Sequence, residues 1–116
     1  WLKIKNFIVS DKNRSNYSYK IYQKKIDTIF KKICLKKSFL KLDVEGYEHN
    51  VLLGAKIKIQ EIPYVLVEKH TFSQYHNNFS LVNKFLIKNN FEIIKRFYYP
   101  TLHYQDLLYR NKKKGQ

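Results

Sequence analysis

The sequence has one cysteine, three glycines and no methionine. Cys34 alone excludes an internal disulfide and a cysteine-rich metal site, and it fits a reducing compartment, so we expect a cytoplasmic protein. Glycine occurs only at positions 46, 54 and 115, which leaves no glycine-rich loop able to cradle a phosphate or nucleotide. Because the chain begins at Trp1, lacks Met and shows no signal peptide, we expect a piece of a longer chain.

Acidic residues and long apolar runs are also scarce. Nine Asp and Glu stand against 23 Lys and Arg, a formal net charge of +14. Such a balance can mark a protein that binds nucleic acid or an anionic membrane. Here the lysines are scattered along the whole chain among many Asn, Ile and Tyr, which favours the compositional drift of an AT-rich genome. We therefore expect no nucleic-acid partner, and no apolar run approaches the roughly 18–20 residues of a membrane span.

What remains is sufficient for one folded domain. The chain has 116 residues, of which 44% are hydrophobic and 16% aromatic, too many for a disordered segment. We expect residues 1–116 to form a single partial domain, with residues 111–116 as a solvated basic tail.

Hydrophobic periodicity predicts alternating strands and helices. Loops are expected at 10–18 and 71–78, a short extended piece at 19–22, and a chain turn at Pro100. Asp27 is expected to cap the first helix, and Asn90 to end the third in a left-handed conformation. The predicted strands are 2–9, 39–44, 64–67, 91–98 and 104–110, and the predicted helices are 26–33, 47–60 and one from Asn78 or Ser80 to Asn90.

This order predicts an α/β fold, a mostly parallel sheet closed by a C-terminal antiparallel hairpin. Two of its strands end in titratable residues. Asp43 and Glu45 follow one strand, and Glu68 and His70 end the next. Ligands of open α/β sheets bind beyond the carboxyl ends of the strands, where a carboxylate or a His can move a proton. We expect these four side chains to open onto one cleft, although Glu45 could merely favour a helix N-terminus and His70 could be a surface His.

Glu48, one helical turn beyond Glu45, is more simply explained by the same helix N-terminus than by catalysis.

The stretch FLKLDVEGYEHNVLLGA, followed by PYVLVEKH, resembles the core of FkbM-type methyltransferases. Their pattern is an apolar strand K-[IL]-D-[VI]-E-G-x-E, a helix with V-L-x-G-A, and then P-x-[IL]-x-x-E with a nearby His. The resemblance extends from about Ile26 to Leu108. The matching residues are Lys41, Asp43, Glu45, Gly46, Glu48, Val51, Leu52, Gly54, Ala55, Pro63, Glu68 and His70.

The resemblance implies a class I, Rossmann-like fold that transfers a methyl group from S-adenosylmethionine, usually to a hydroxyl oxygen of a sugar or other small molecule. The strands ending at Asp43 and Glu68 would be its fourth and fifth, residues 2–9 its third, and the terminal hairpin its sixth and seventh. Asp43 would face both the methyl donor and the acceptor. Glu45, Glu68 and His70 would line the acceptor side, where one could deprotonate the hydroxyl or hold a cation.

The family's glycine-rich cofactor loop is missing here, so the resemblance implies that this piece alone holds S-adenosylmethionine poorly. It would be either the C-terminal part of an enzyme or a degenerate remnant of one. Two other functions remain open. One is a Mg²⁺-dependent hydrolase using Asp43, Glu45 and Glu68 beside Lys69, although Lys69 follows Glu68 directly and breaks the usual acid-x-Lys spacing. The other is a module that binds single-stranded nucleic acid through Lys and Tyr. No residue is assigned as a metal ligand, and the oligomeric state stays open.

Overall fold

The computed structural model describes residues 3–9, 17–70, 73–100 and 103–114. Strands and helices alternate through the middle of the chain, as the periodicity predicts. The elements are β1 (Lys3–Val9), β2 (Tyr17–Gln23), α1 (Ile26–Ile29), β3 (Phe39–Leu42), α2 (Glu48–Leu53), a 3₁₀ turn (Lys58–Gln60), β4 (Tyr64–His70), α3 (Ser73–Lys88), β5 (Phe91–Tyr98) and β6 (Tyr104–Asn111).

Four of the strands form one sheet in the order β3-β4-β6-β5. The prediction of an α/β fold with a terminal β5–β6 hairpin is confirmed. The prediction of a mostly parallel sheet is not: within the described residues β3–β4 is its one parallel pair, and β4–β6 and β5–β6 are antiparallel. The reason is the position of β6. It lies between β4 and β5, which run in the same direction, so both of its neighbours must pair with it antiparallel.

The first two strands stand outside this sheet. β1 pairs antiparallel with β2 along their whole length, from Lys3 opposite Gln23 to Val9 opposite Tyr17, as a separate two-stranded sheet. The strand predicted for residues 2–9 is confirmed for residues 3–9, but it does not join the four-stranded sheet, where the resemblance would place it as the third strand. The extended piece predicted for 19–22 is part of β2, which also includes residues 17 and 18, predicted as loop. Residues 10–16 of the expected loop lie outside the described residues. Antiparallel strands can pair without the long crossover connection that a parallel pair needs, so β1 can pair directly with β2.

The core lies on one face of the four-stranded sheet. Leu42, Val67 and Leu107 stand side by side on neighbouring strands, and all three are buried. Leu52 of α2 and Leu86 of α3 pack into the same cluster. Side chains alternate between the two faces along a strand. Because Val67 faces the core, Glu68 and His70 at the end of β4 lie on the opposite face of the sheet. The core therefore fixes which way the strand-end acids face.

The helix predicted for 47–60 is two shorter pieces. α2 ends at Leu53 and the chain turns at Gly54 before the 3₁₀ turn. Gly54 O accepts a hydrogen bond from Asp27 N, and a Cβ on Gly54 would come within 3.4 Å of Lys25 Cα. The predicted helix cap at Asp27 is also wrong. Its carboxylate accepts hydrogen bonds from Ile57 N and Lys58 N, so it joins α1 to the segment after α2.

α3 begins at Ser73, within the stretch 71–78 that was expected to be a loop; residues 71–72 lie outside the described part. Asn78, expected as a possible cap, lies inside the helix, and its side chain bonds to α2. After α3, Asn90 adopts a φ of 67°, which confirms the predicted left-handed stop.

The end of β6 is more buried than the sequence indicates. Tyr109 is in the core; burial raises its pKa to about 12, and its hydroxyl donates to Asn83 Oδ1 at 2.9 Å. Asn111, assigned to the solvated tail, is the last residue of β6 and is fully buried. In the described part of the chain, no helix is long and apolar enough to cross a bilayer.

Candidate active site at the carboxyl ends of β3 and β4

The parallel pairing of β3 and β4 brings two of the predicted acids together. Leu42 is level with Val67, so Asp43, the next residue, lies beside Glu68. The two carboxyl groups are within hydrogen-bonding reach of each other. Two adjacent carboxyl groups can share one proton, because ionising both places like charges side by side.

His70 joins this pair through the strand periodicity. Glu68 and His70 are two residues apart in β4 and therefore lie on the same face. His70 Nε2 is 3.5 Å from Glu68 Oε1, close enough for an ion pair when the imidazole is protonated. Asp43, Glu68 and His70 thus form one continuous cluster, as expected for residues that pass a proton between them.

Lys41 sets the charge of Asp43. Its ammonium Nζ lies 2.8 Å from Asp43 Oδ2. The hydrogen bond from Lys41 is the main cause that holds the pKa of Asp43 below its usual value, with a smaller contribution from the Glu68 carboxyl. Asp43 is therefore the member of the acid pair that ionises first.

Glu68 is shifted in the other direction. Burial of its carboxyl raises its pKa, and the charge of Asp43 and the hydrogen bond with it raise the pKa further. A carboxylate with a raised pKa is a stronger base than an exposed one, which is the property required for removing a proton from a hydroxyl group.

Three further side chains complete the cluster, and none was predicted from the sequence. Asp106 of β6 is directly opposite Glu68, and Tyr104 is opposite His70. Tyr99 donates its phenol hydrogen bond to Asp106 Oδ2 at 2.7 Å, and its ring lies 4.6 Å from that of Tyr104. The signal available in the sequence was that Asp106 is the single acid of β6 and directly precedes the apolar pair Leu107–Leu108. Its significance depends on the β4–β6 register, which local periodicity does not specify.

Glu45 and Glu48 follow Asp43 in the same turn but differ in environment. Glu45 is exposed and has a φ of 46°, and none of the hydrogen bonds or ion pairs between described residues involves its carboxylate. Glu48 is 3% exposed. Its Oε1 accepts hydrogen bonds from Val44 N at 3.2 Å and Gly46 N at 3.1 Å, and its Oε2 accepts one from the Asn78 amide. The explanation expected from the sequence, that Glu48 only favours the N-terminus of α2, is therefore incomplete.

Two cavities border α2. A cavity of about 10 Å³, at most the size of one water molecule, is lined by Glu48, Asn78, Glu68 and His70 among others. A groove of about 390 Å³ lies between residues 23–26 and the outer side of α2, near Tyr47 and Asn50. The larger groove is lined by none of the predicted acids and not by His70, so its larger volume does not make it the candidate active site.

A metal centre finds no support in the described ranges 3–9, 17–70, 73–100 and 103–114. No three His, Cys, Asp or Glu side chains are arranged there so that they could hold a metal ion. The Mg²⁺-dependent hydrolase therefore gains nothing from this geometry.

Comparison with known proteins gives one match. The model of the methyltransferase FkbM domain matches residues 8–97, more than three quarters of the chain. This range contains Asp43, Glu68 and His70, and ends before Tyr99 and Asp106. No curated protein and no solved structure matches the chain.

Proposed function

The chain belongs to the FkbM methyltransferase family, and we propose that it forms the acceptor side of an S-adenosylmethionine-dependent O-methyltransferase. In this proposal the four-stranded sheet is the C-terminal part of a class I methyltransferase fold. The observation that carries the proposal is the meeting of Asp43, Glu68 and His70 at the ends of two neighbouring parallel strands.

The cluster is suited to removing a proton from an alcohol. Glu68 would accept the hydrogen of the acceptor hydroxyl, and the hydroxyl oxygen would then be free to take the methyl group that S-adenosylmethionine supplies when it is bound, with the thioether as the leaving group. The proton then passes to His70, whose Nε2 is 3.5 Å from the Glu68 carboxylate. Asp43, kept ionised by Lys41, stabilises the protonated form of Glu68 by accepting its hydrogen bond.

The fit of S-adenosylmethionine to these residues is incomplete. The donor supplies the methyl group, and Asp43 is the residue we assign to its contact. The glycines at 46 and 54 border the turns at the two ends of α2, and neither belongs to a glycine-rich loop that would let backbone approach a nucleotide. We therefore assign the acceptor half of the reaction to these residues and no step of the cofactor's own chemistry.

The acceptor class we propose is a small hydroxyl compound, with carbohydrates first among the candidates. A sugar presents several hydroxyl groups, and the strand ends offer three carboxyl groups, on Asp43, Glu68 and Asp106, as hydrogen-bonding partners. The tilted pair of Tyr99 and Tyr104 rings adds an apolar surface beside them.

The test is methyl transfer from labelled S-adenosylmethionine to a panel of sugars and simple alcohols, using the protein that the complete reading frame encodes. We expect Glu68→Gln and His70→Ala each to lower turnover by about 100-fold or more, the usual scale of general acid–base catalysis. No transfer to any hydroxyl compound, or full activity of both variants, would reject the proposal.

Glu92 provides a matched control for Asp43. Asp43 and Glu92 side chains are each 41% exposed, and each carboxylate is 2.8 Å from a basic side chain, Lys41 and Arg110 respectively. Glu92 lies in β5, outside the cluster. We expect Asp43→Asn to lower turnover and Glu92→Gln to leave it unchanged; equal effects would show that the loss reflects a general change of surface charge.

A further inference from the structure

Glu48 is a buried acid without a role in the proton transfer described above. Burying a carboxylate is unfavourable unless hydrogen bonds satisfy its oxygens. Here both oxygens have partners: the backbone N–H groups of Val44 and Gly46 on one, and the Asn78 amide on the other. A charged group that only favoured a helix N-terminus would not need three hydrogen-bond partners from two separate parts of the fold.

These partners come from different parts of the fold. Val44 and Gly46 belong to the turn after β3, Glu48 opens α2, and Asn78 lies in the second turn of α3. The Asn78 side chain also accepts a hydrogen bond from His49 N at 3.4 Å. The Glu48–Asn78 pair therefore connects α3 both to α2 and to the turn that carries Asp43.

The turn needs such support because its backbone is unusual. Glu45 and Gly46 have φ values of 46° and 94°, so two consecutive residues are left-handed. Gly adopts this conformation freely, whereas Glu does so at a cost. Tyr47 N donates to Val44 O at 3.2 Å, and the Glu48 carboxylate accepts the Val44 and Gly46 N–H groups, so hydrogen bonds hold both sides of the turn.

The same pair borders the candidate active site. Glu48, Asn78, Glu68 and His70 line one cavity of about 10 Å³. The Glu48–Asn78 pair therefore lies next to the end of β4 that carries Glu68 and His70.

We propose that Glu48 and Asn78 are positioning residues, which clamp the turn of residues 43–46 to α3 and so hold the Asp43 carboxyl group beside Glu68. Neither residue touches the acceptor in this scheme. The proposed function is needed only for the catalytic consequence, that turnover depends on the clamp; the clamp itself is testable without any reaction.

The test is a titration of the side-chain carboxyl groups of the protein, followed by ¹³C NMR, with Glu48→Gln as the main variant. The Gln side chain keeps one oxygen for the Val44 and Gly46 N–H groups, but its NH₂ group meets the NH₂ group of Asn78, and that hydrogen bond is lost. We expect the pKa of Asp43 to rise and the pKa of Glu68 to fall, each toward its ordinary value, as the two groups separate.

Asn78→Asp combined with Glu48→Gln provides the rescue. The NH₂ group introduced by Glu48→Gln then faces an acceptor oxygen, and the carboxylate introduced by Asn78→Asp still accepts from His49 N, so the connection returns with its donor and acceptor exchanged. We expect the double variant to recover the wild-type titration of Asp43 and Glu68. Asn78→Asp alone, which places two carboxylates face to face, should disturb it.

Glu61→Gln is the matched control. Glu61 also accepts a backbone N–H, that of Leu35, and also receives a side-chain donor, Lys58 Nζ, but it lies away from the cluster. We expect it to lower the melting temperature without moving the Asp43 or Glu68 titration.

The outcomes separate a clamp from a purely structural residue. Unchanged Asp43 and Glu68 titrations in Glu48→Gln, or a double variant that fails to restore them, would overturn the proposal. If Glu48→Gln does not fold, Asn78→Ala gives the same readout, since it leaves the backbone contacts of Glu48 in place. The titration needs no methyl donor and no turnover, so failure of the clamp is distinguishable from failure of the proposed function.

Discussion

The two ends of β4 have opposite chemistry. At its amino end the connections are neutral amides: Asn111 N donates to Pro63 O at 2.8 Å, and the Asn111 side chain donates to the Gln60 and Ile62 carbonyl groups. At its carboxyl end Glu68 lies beside Asp43 on one neighbouring strand and Asp106 on the other. One end places donors against acceptors, and the other brings three acids together.

The difference shows which end contributes stability. Satisfied neutral hydrogen bonds in the interior stabilise the fold modestly, and each is costly to break. At the carboxyl end, burial of the Glu68 carboxyl group and then the charge of the neighbouring Asp43 oppose its ionisation, and together they raise the pKa of Glu68. A fold that needed only stability would not require this arrangement, so the contrast supports a functional role for the carboxyl end.

The strongest way to test this contrast is Asn111→Ala. The substitution removes the donor to the buried Ile62 carbonyl group and to the half-buried Gln60 carbonyl group, and the acceptor of Lys113 N. We expect the free energy of unfolding to fall by about 2–3 kcal/mol, because buried polar groups lose their partners. Denaturant unfolding measures this change. A loss no larger than that of an exposed substitution would remove the amino end from the stabilising part of the fold.

Tyr109→Phe tests a second neutral contact of β6. The ring stays in the core while the hydrogen bond to Asn83 is lost. We expect a loss of about 1 kcal/mol in the free energy of unfolding. The same unfolding experiment measures it, and tyrosine titration should show one fewer group with a pKa near 12.

Glu68→Gln should raise the free energy of unfolding, whereas the two preceding substitutions lower it. The pKa of Glu68 is raised in the fold above its ordinary value of 4.5, so its ionised form opposes folding at every pH above the folded pKa. Removing that charge should stabilise the protein at neutral pH by on the order of 1 kcal/mol, and the Gln amide can still donate to Asp43. The gain should vanish as the pH falls below 4.5, where Glu68 is protonated in both states. A pH series of unfolding curves checks the sign, and a loss at neutral pH would contradict it.

Glu45→Gly should have the smallest effect. The backbone at Glu45 is left-handed, and its carboxylate is in no hydrogen bond between described residues. Gly relieves the strain but is more flexible in the unfolded chain, so we expect a net change of about 0.5 kcal/mol or less in the free energy of unfolding. Glu45→Val, which introduces a Cβ-branched side chain at that φ, should be clearly destabilising. Equal stability of the two variants would show that the turn changes conformation.

The sequence predicts the parts of this molecule that depend on neighbours in the chain. The β3 and β4 strands and the β5–β6 hairpin follow from apolar runs and alternation, and the Asn90 stop follows from residue type. Contacts across long separations were missed. Asp106 stands opposite Glu68 only through the strand order, and Asn78 was assigned to a loop because its polarity serves Glu48, 30 residues away.

The interruption of α2 has a similar cause. The apolar spacing of the segment continues to Ile59, but the Gly54 carbonyl group accepts a hydrogen bond from Asp27 N, and helical periodicity does not reveal that partner. The direction of β6 likewise depends on where it enters the sheet, which a list of strands leaves open.

The position of β6 also affects the order in which the protein can fold. β6 follows β5 in the chain, yet it separates β5 from β4 in the sheet. Until β6 enters, β4 and β5 both present unpaired strand edges, and such edges can pair with other chains. Closure of the sheet must therefore await its last strand, so we expect slow folding with an intermediate that is prone to aggregation during synthesis.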